Sequence, residues 1–296
     1  METNTVPSER AAAPVPDDTQ IRQHLHAMWA GVAAAWGEHA GYADERGAAV
    51  TEVLLDRAAL HPGDRVLDLA TGPGGAGIAA ATRVAPGGEV VLSDVAEEMT
   101  AIAAERAAAR GVANVSTCVL DIEAIDQPDA SYDVVLCREG LMFALDPERA
   151  VGEFRRVLRP GGRVSIAVWG PRASNPWLGV VFDALSEQIG RPVPPPGIPG
   201  PFALEDADRL RALFVTAGFD KVELTEHAVP ARAPSFDEWW NRTSSLAGPL
   251  ATIIAALPPD AAGELRTRLQ RAVQPYRSGE ALELPGVSLL ASARIG

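Results

Sequence analysis

The chain has 296 residues, 47% of them hydrophobic, with 26 basic against 39 acidic residues and a net charge of −13. That length and apolar content suffice for a sizeable core in one large domain, or one domain with insertions. The acidic balance disfavours a nucleic-acid backbone or an anionic membrane as principal partner, no apolar run is long enough to span a bilayer, and two cysteines, Cys118 and Cys137, make neither a disulfide framework nor a zinc site.

Residues 1–20 are polar and proline-bearing, with no hydrophobic signal core, which predicts a disordered leader and a cytoplasmic protein. Ile21, Leu25, Met28, Trp29, Val32 and Trp36 recur at helical spacing and predict a helix over Ile21–Ala40, broken by Gly37 to Gly41. A second helix is expected over Arg46–Leu60, stopped by His61-Pro62-Gly63. The run Val66-Leu67-Asp68-Leu69-Ala70 reads as a buried strand that ends in the glycine turn Gly72-Pro73-Gly74-Gly75, with a helix from Ala76 to Val84 behind it.

A second strand covers Glu89–Leu92. Asp94 with Glu97 reads as a capping box for a helix over Ala96–Arg110. Strands follow at Val115–Leu120 and Tyr132–Cys137. Asp146-Pro147 opens a helix to Leu158. Arg159-Pro160-Gly161-Gly162 fits a type II turn, and Val164, Ile166 and Val168 alternate along a fifth strand. Helices are expected over Trp177–Ile189 and Leu204–Ala217, and a sixth strand over Lys221–Val229. Ser235–Arg277 holds two or three helices, broken at Gly248 and at Pro258-Pro259, before a last strand over Val287–Ile295. Strands alternating with helices predict an α/β, doubly wound, mostly parallel sheet.

Glycines permit positive φ and close approach of a ligand to the main chain, and a helix N-terminus behind them offers free N–H groups. Gly72-Pro73-Gly74-Gly75-Ala76-Gly77 fits G-x-G-x-x-G, a weak signal that suits a dinucleotide. Three features pull away from a nicotinamide site: Asp68 inside the strand, Asp121 ending the third strand, and Arg159-Pro160-Gly161-Gly162 before the fifth.

At these residues the chain resembles a known family. Val66 to Gly75 is similar to motif I of the class I S-adenosylmethionine-dependent methyltransferases, Asp94 after Val90-Val91-Leu92 to the acid ending their second strand, and Arg156 to Gly162 to their post-core signature. Trp169 and Asn175-Pro176-Trp177 resemble the quinone-biosynthesis branch. The likeness spans about Val50 to Val229 and is strong for the cofactor half. It implies a Rossmann-like, seven-stranded sheet with an antiparallel last strand. It also implies a core over residues 61–234 and 278–296, an N-terminal helical lid over 21–60 and a helical substrate lid over 235–277.

S-adenosyl-L-methionine is the implied cofactor. By resemblance Asp94 accepts the ribose hydroxyls, Asp121 meets the adenine amine, and Val95 and Ile122 flank its ring. Ala70, Thr71, Gly72, Pro73 and Gly74 receive the methionyl part, Asp68 orders that loop, and Met99, Cys137 and Arg138 complete the cofactor set. Arg138 either binds an anionic substrate or pairs with Glu139. Candidate bases are Glu139, His26 and His24; histidine is the usual choice because its pKa lies near working pH. Trp36, Tyr42, Met142, Trp177, Trp239 and Trp240 are expected around the acceptor, as a pocket for an apolar or planar molecule. No metal cluster appears in the sequence. The function expected is methyl transfer to O, C or N of a lipophilic or aromatic small molecule, with a non-methylating reaction such as cyclisation in the same pocket as the alternative. Neither nucleic acid nor membrane is expected as a partner, and a homodimer is allowed.

Overall fold

In this computed structural model, which describes residues 18–296, the chain enters through two helices, Asp18–Glu38 (α1) and Ala40–Arg57 (α2). The predicted break narrows to His39, because His39 N donates to Ala35 O at 2.9 Å and Ala43 N to His39 O at 3.0 Å. Helical bonding thus crosses the junction, and α2 starts at Ala40 rather than Arg46. Residues 18–20 are helical, correcting the end of the expected leader; the rest of that leader lies outside the described residues.

There follow Arg65–Asp68 (β1), Gly75–Val84 (α3), Glu89–Asp94 (β2), Glu97–Ala109 (α4), Val115–Val119 (β3), Tyr132–Arg138 (β4), Pro147–Val157 (α5) and Leu158–Trp169 (β5). Next come Pro176–Ile189 (α6), Ala207–Thr216 (α7), Asp220–Ala228 (β6), Ala231–Ala233 (β7) and Phe236–Leu246 (α8). Pro249–Ala255 (α9), Pro259–Ala272 (α10), Arg277–Ser278 (β8), Ala281–Leu284 (β9) and Val287–Arg294 (β10) complete the chain. Among these residues no helix is long and apolar enough to cross a membrane.

The main sheet has the order β3-β2-β1-β4-β5-β10-β6. β1, β2, β3, β4 and β5 pair in parallel, and β10 runs antiparallel between β5 and β6, as expected for the last strand. β1 is a near-continuous apolar run because helices cover both of its faces: Val66, Leu67 and Leu69 are fully buried. The chain runs outward from β1 to β3 and then returns to place β4 on the other side of β1. The order therefore reverses between β1 and β4, where open α/β sheets bind ligands at their carboxyl edge.

Local chemistry accounts for the junctions. Asp146 caps α5 by accepting from Arg149 N at 2.9 Å, with Pro147 in the first turn. Ala150, Val151, Phe154 and Val157 form the buried stripe of that helix. Tyr132 pairs with Leu158 but Val134 with Arg163, so Arg159–Gly162 is looped out of the ladder, and Gly161 takes the φ of +76° that a type II turn requires. The capping box expected at Asp94 and Glu97 does not form. Ala96 is the N-cap residue of α4, and Asp94 turns instead toward the loop after β1.

A second sheet, β7-β9-β8, was not anticipated. Its strands are too short to carry a readable two-residue period. It joins the segment before α8 to the segment after α10, so the helical insertion is clamped at its base.

Gly77 lets α3 lie directly on β1 and β2. A Cβ there would sit 2.2 Å from Leu92 Cδ2 and 2.5 Å from Asp68 Oδ2. Gly77→Ala is expected to destabilise the protein by about 1–3 kcal/mol through overpacking, read as a lower urea midpoint at constant m-value. An unchanged midpoint would mean that the two layers are not in such close contact.

Candidate active site

β1 ends at Asp68 and the chain turns at once, with φ of +50° at Ala70, +53° at Gly72 and +87° at Gly74. The turn is tied to its neighbours: Leu69 N donates to Leu136 O and Thr71 N to Ser93 O, each at 2.8 Å. Gly72 N donates to Asp94 Oδ2 at 2.9 Å, and Ala96 N to Asp94 Oδ1 at 3.1 Å. Beneath the turn Asp68 is fully buried and accepts from Thr71 Oγ1 at 2.5 Å, while its Oδ1 has no partner. Burial pushes its carboxyl up to about 6, against the Thr71 hydrogen bond and the Arg138 charge, which pull it down. Burial also raises Asp94, opposed by its backbone N–H donors.

Above this edge lies a cavity of about 230 Å³. Its floor is Ala70, Thr71, Gly72 and Pro73, followed by Asp94, Val95 and Met99, then Asp121 and Ile122. Its far wall is aromatic and apolar. Trp29, Trp36 and Tyr42 come from the N-terminal helices, Met142 and Phe143 from the loop after β4, and Trp169 and Trp177 from the end of β5 and the start of α6. Trp29 meets Phe143 edge-on, with ring centroids 4.9 Å apart. Helix α8 closes the top with Arg242, Thr243 and Leu246.

Ion pairs hold the roof down. On α1, Arg22 pairs with Glu123 and lies 3.8 Å from Asp121 Oδ2, and His26 Nε2 is 3.7 Å from that same oxygen. Glu123 is buried and accepts from Leu145 N at 2.7 Å. On α2, Asp44 Oδ2 accepts from Arg106 at 2.6 Å and Arg110 at 2.8 Å, while Arg106 also donates to the Pro73 carbonyl. Arg138 donates from Nη1 to Thr51 Oγ1 of α2 at 2.7 Å. Glu139 faces the cavity with φ of +61°, a strained conformation for a residue with a Cβ. Its carboxyl accepts a long hydrogen bond of 3.5 Å from Ser288 Oγ, and burial raises its pKa, opposed by Arg138 and Arg46.

A family model described as "Methyltransferase domain" matches residues 60–177. The ubiquinone/menaquinone biosynthesis C-methyltransferase UbiE of Ralstonia nicotianae is 36% identical over 189 residues, which cover 57% of this chain and 72% of that one. The chain belongs to the class I S-adenosylmethionine-dependent methyltransferases. The solved structures most similar in fold include the YcgJ protein of Bacillus subtilis, with a TM-score of 0.57 at 20% identity over 82% of this chain and 97% of that one. The [4+2]-cyclase SpnF is also similar, with a TM-score of 0.51 at 21% identity over 83% of this chain and 79% of that one. At these identities both show a shared fold and nothing finer.

The cofactor of this methyltransferase is thus S-adenosylmethionine, and the residues present fit it. Asp94 lies at the carboxyl end of β2, lines the cavity, and uses one acceptor site of each oxygen on the main chain. A carboxylate has about four such sites, which leaves two for a pair of hydroxyls. The bare main chain of the turn faces the same space.

Most of the expected site residues meet around that cavity: Ala70, Thr71, Gly72, Pro73, Asp94, Val95, Met99, Asp121, Ile122, Arg138, Glu139, His26, Trp36, Tyr42, Met142 and Trp177. Six do not line it. Asp68 lies under the turn, and Gly74 closes it as the N-cap residue of α3, facing Ile78 and Ala103. Cys137 is fully buried below the floor, its thiol pushed up to about 12 by burial, and is inert. His24 is exposed on α1, two residues from His26 and so on another face of the helix. Trp239 is buried against Phe236 in the main core, and Trp240 packs on that core. It is the turn after them, through Arg242, Thr243 and Leu246, that reaches the cavity. Sequence reading passed over Arg46, Trp29, Arg22 and Glu123, all of which line it. The only local signal was the acidic pair around Ile122; the others are brought in by the roof helices.

Proposed function

We propose that this methyltransferase moves the methyl group to O, C or N of a lipophilic, planar small molecule. The observation that carries the reading is one continuous cavity, polar at the sheet edge and aromatic at its far wall. When bound, the cofactor supplies a methyl group on a sulfonium, which departs as a neutral thioether.

In this reading Asp94 accepts the ribose hydroxyls, Asp121 the adenine amine, and Val95 and Ile122 sandwich the purine. The methionyl part rests on Ala70–Gly74, ordered from below by Asp68 through Thr71. The acceptor lies against Trp36, Tyr42, Met142 and Trp177. Glu139 takes its proton where one must be lost: it is partly desolvated, held by the Arg46 and Arg138 charges, and kept at the cavity surface by its strained backbone. His26 is better used as part of the Asp121 strap. Orientation and exclusion of water supply the rest of the rate.

Helices α1 and α2 form one lid and α8 to α10 the other. The straps from Arg22 and His26 to Asp121 would link lid closure to the adenine end of the site. Residues 21–42 are expected to gain hydrogen-exchange protection when S-adenosylhomocysteine binds; equal exchange in free and bound protein would remove the lid. The functional test is incubation with S-adenosylmethionine and a set of planar lipophilic phenols, amines and enols, followed by product mass. A product one methyl group heavier supports the reading, and none across the set, with cofactor bound, contradicts it.

A further inference from the structure

Arg46 is set apart from the other charged groups of the cavity. Its guanidinium carbon sits 3.8 Å from the ring centroid of Trp177 and 5.1 Å from that of Trp169. Nη2 makes a long hydrogen bond of 3.4 Å to Val229 O, and Nε is buried without a partner. Among the described residues no carboxylate lies within 4.0 Å of it; the Tyr42 hydroxyl is its nearest side-chain partner, and Glu139 attracts it from further away.

The other cavity arginines are accounted for. Arg22 is paired with Glu123, and Arg242 with Glu238 at 3.1 Å. Arg138 bonds Thr51 and lies under the glycine turn, where a Cβ on Gly75 would come 3.2 Å from its Nη2. The cofactor carries a single carboxylate, on its methionyl end, which in the placement proposed above would lie along Ala70–Gly74, near Arg138. Arg46 points instead to the ends of β5 and β6, against Trp169, Trp177 and Val229 O.

A guanidinium stays ionised at any working pH, and burying one without a counter-charge is unfavourable. Indole faces offset part of that but occupy only the flat face, and the neutral Tyr42 hydroxyl and Val229 carbonyl take part of the N–H edge without supplying a counter-charge, leaving the rest of that edge, with Nε, to a ligand. The group that matches such an edge is a carboxylate, planar and bidentate. A neutral hydroxyl or amide would leave the charge uncompensated. We infer that Arg46 determines acceptor specificity by pairing with a carboxylate of the substrate, so that the methyl acceptor is a planar lipophilic acid held by that group against Trp169 and Trp177. The inference rests on the cofactor placement proposed above.

The test is tryptophan-fluorescence titration of the full chain, loaded with S-adenosylhomocysteine, using naphthoic and hydroxynaphthoic acids and their primary amides. The wild type should bind acids at least about tenfold more tightly than the matching amides, the effect of one good charge pair. Arg46→Met should abolish that preference and Arg46→Lys retain part of it, with S-adenosylhomocysteine affinity equal in all three proteins. Amides that bind as well as acids, or a set in which no acid binds, would overturn the inference. So would an Arg46→Met protein whose loss is in S-adenosylhomocysteine affinity, which would assign Arg46 to the cofactor. Failure of the wild type to bind S-adenosylhomocysteine at all would instead remove the cofactor placement.

Discussion

Asp94→Ala should weaken S-adenosylhomocysteine binding by about a hundredfold or more. Two hydroxyl hydrogen bonds to a carboxylate are charge-assisted, each worth about 1.5–3 kcal/mol, and a hundredfold in affinity is about 2.7 kcal/mol. The same side chain accepts from Gly72 N and Ala96 N, so alanine also releases the turn proposed to receive the methionyl part. Asp94→Asn separates the two effects. Its amide oxygen can keep one backbone donor but carries no charge, so affinity should fall while the melting temperature moves little. Calorimetry checks both variants. Wild-type affinity in Asp94→Asn together with a folded, non-binding Asp94→Ala would mean that Asp94 only shapes the loop.

Glu139→Gln is expected to lower kcat by about a hundredfold to ten-thousandfold, the usual scale for a positioned base, with S-adenosylhomocysteine affinity unchanged. The sign of the pH dependence follows from its surroundings. Glu139 must be ionised to accept a proton; burial raises its pKa above 4.5, and Arg138 and Arg46 limit the rise. Activity should therefore fall as pH drops through that raised pKa, and this acid limb should vanish in the glutamine variant. Single-turnover rates across pH measure it. A glutamine variant that keeps both rate and limb would leave Glu139 as a wall residue.

The sheet-edge half of the cavity was legible because its residues sit on neighbouring strand ends. A carboxyl-edge turn at Ala70–Gly74 and acids at Asp94 and Asp121 each follow an apolar run, so local pattern alone brings them to one edge. The far wall of the cavity depends on helices packed from outside the sheet. Arg46 meets Trp169 and Trp177 through the docking of α2 on β5, and no periodicity in either segment encodes that contact. Trp239 and Trp240 were read as pocket aromatics from their size, but the rotation of α8 turns them to the core and presents Arg242 and Thr243. Asp94 shows the same limit on a smaller scale. Its spacing to Glu97 suits a helix cap, yet the nearby Gly72 N–H draws the carboxylate into the site.

The most direct measurement is the crystal structure of the protein with S-adenosylhomocysteine. The ribose hydroxyls should lie within about 3 Å of the Asp94 carboxylate, with the methionyl chain along Ala70–Gly74. A nucleoside bound away from the carboxyl edge, or a ribose with no contact to Asp94, would contradict the account.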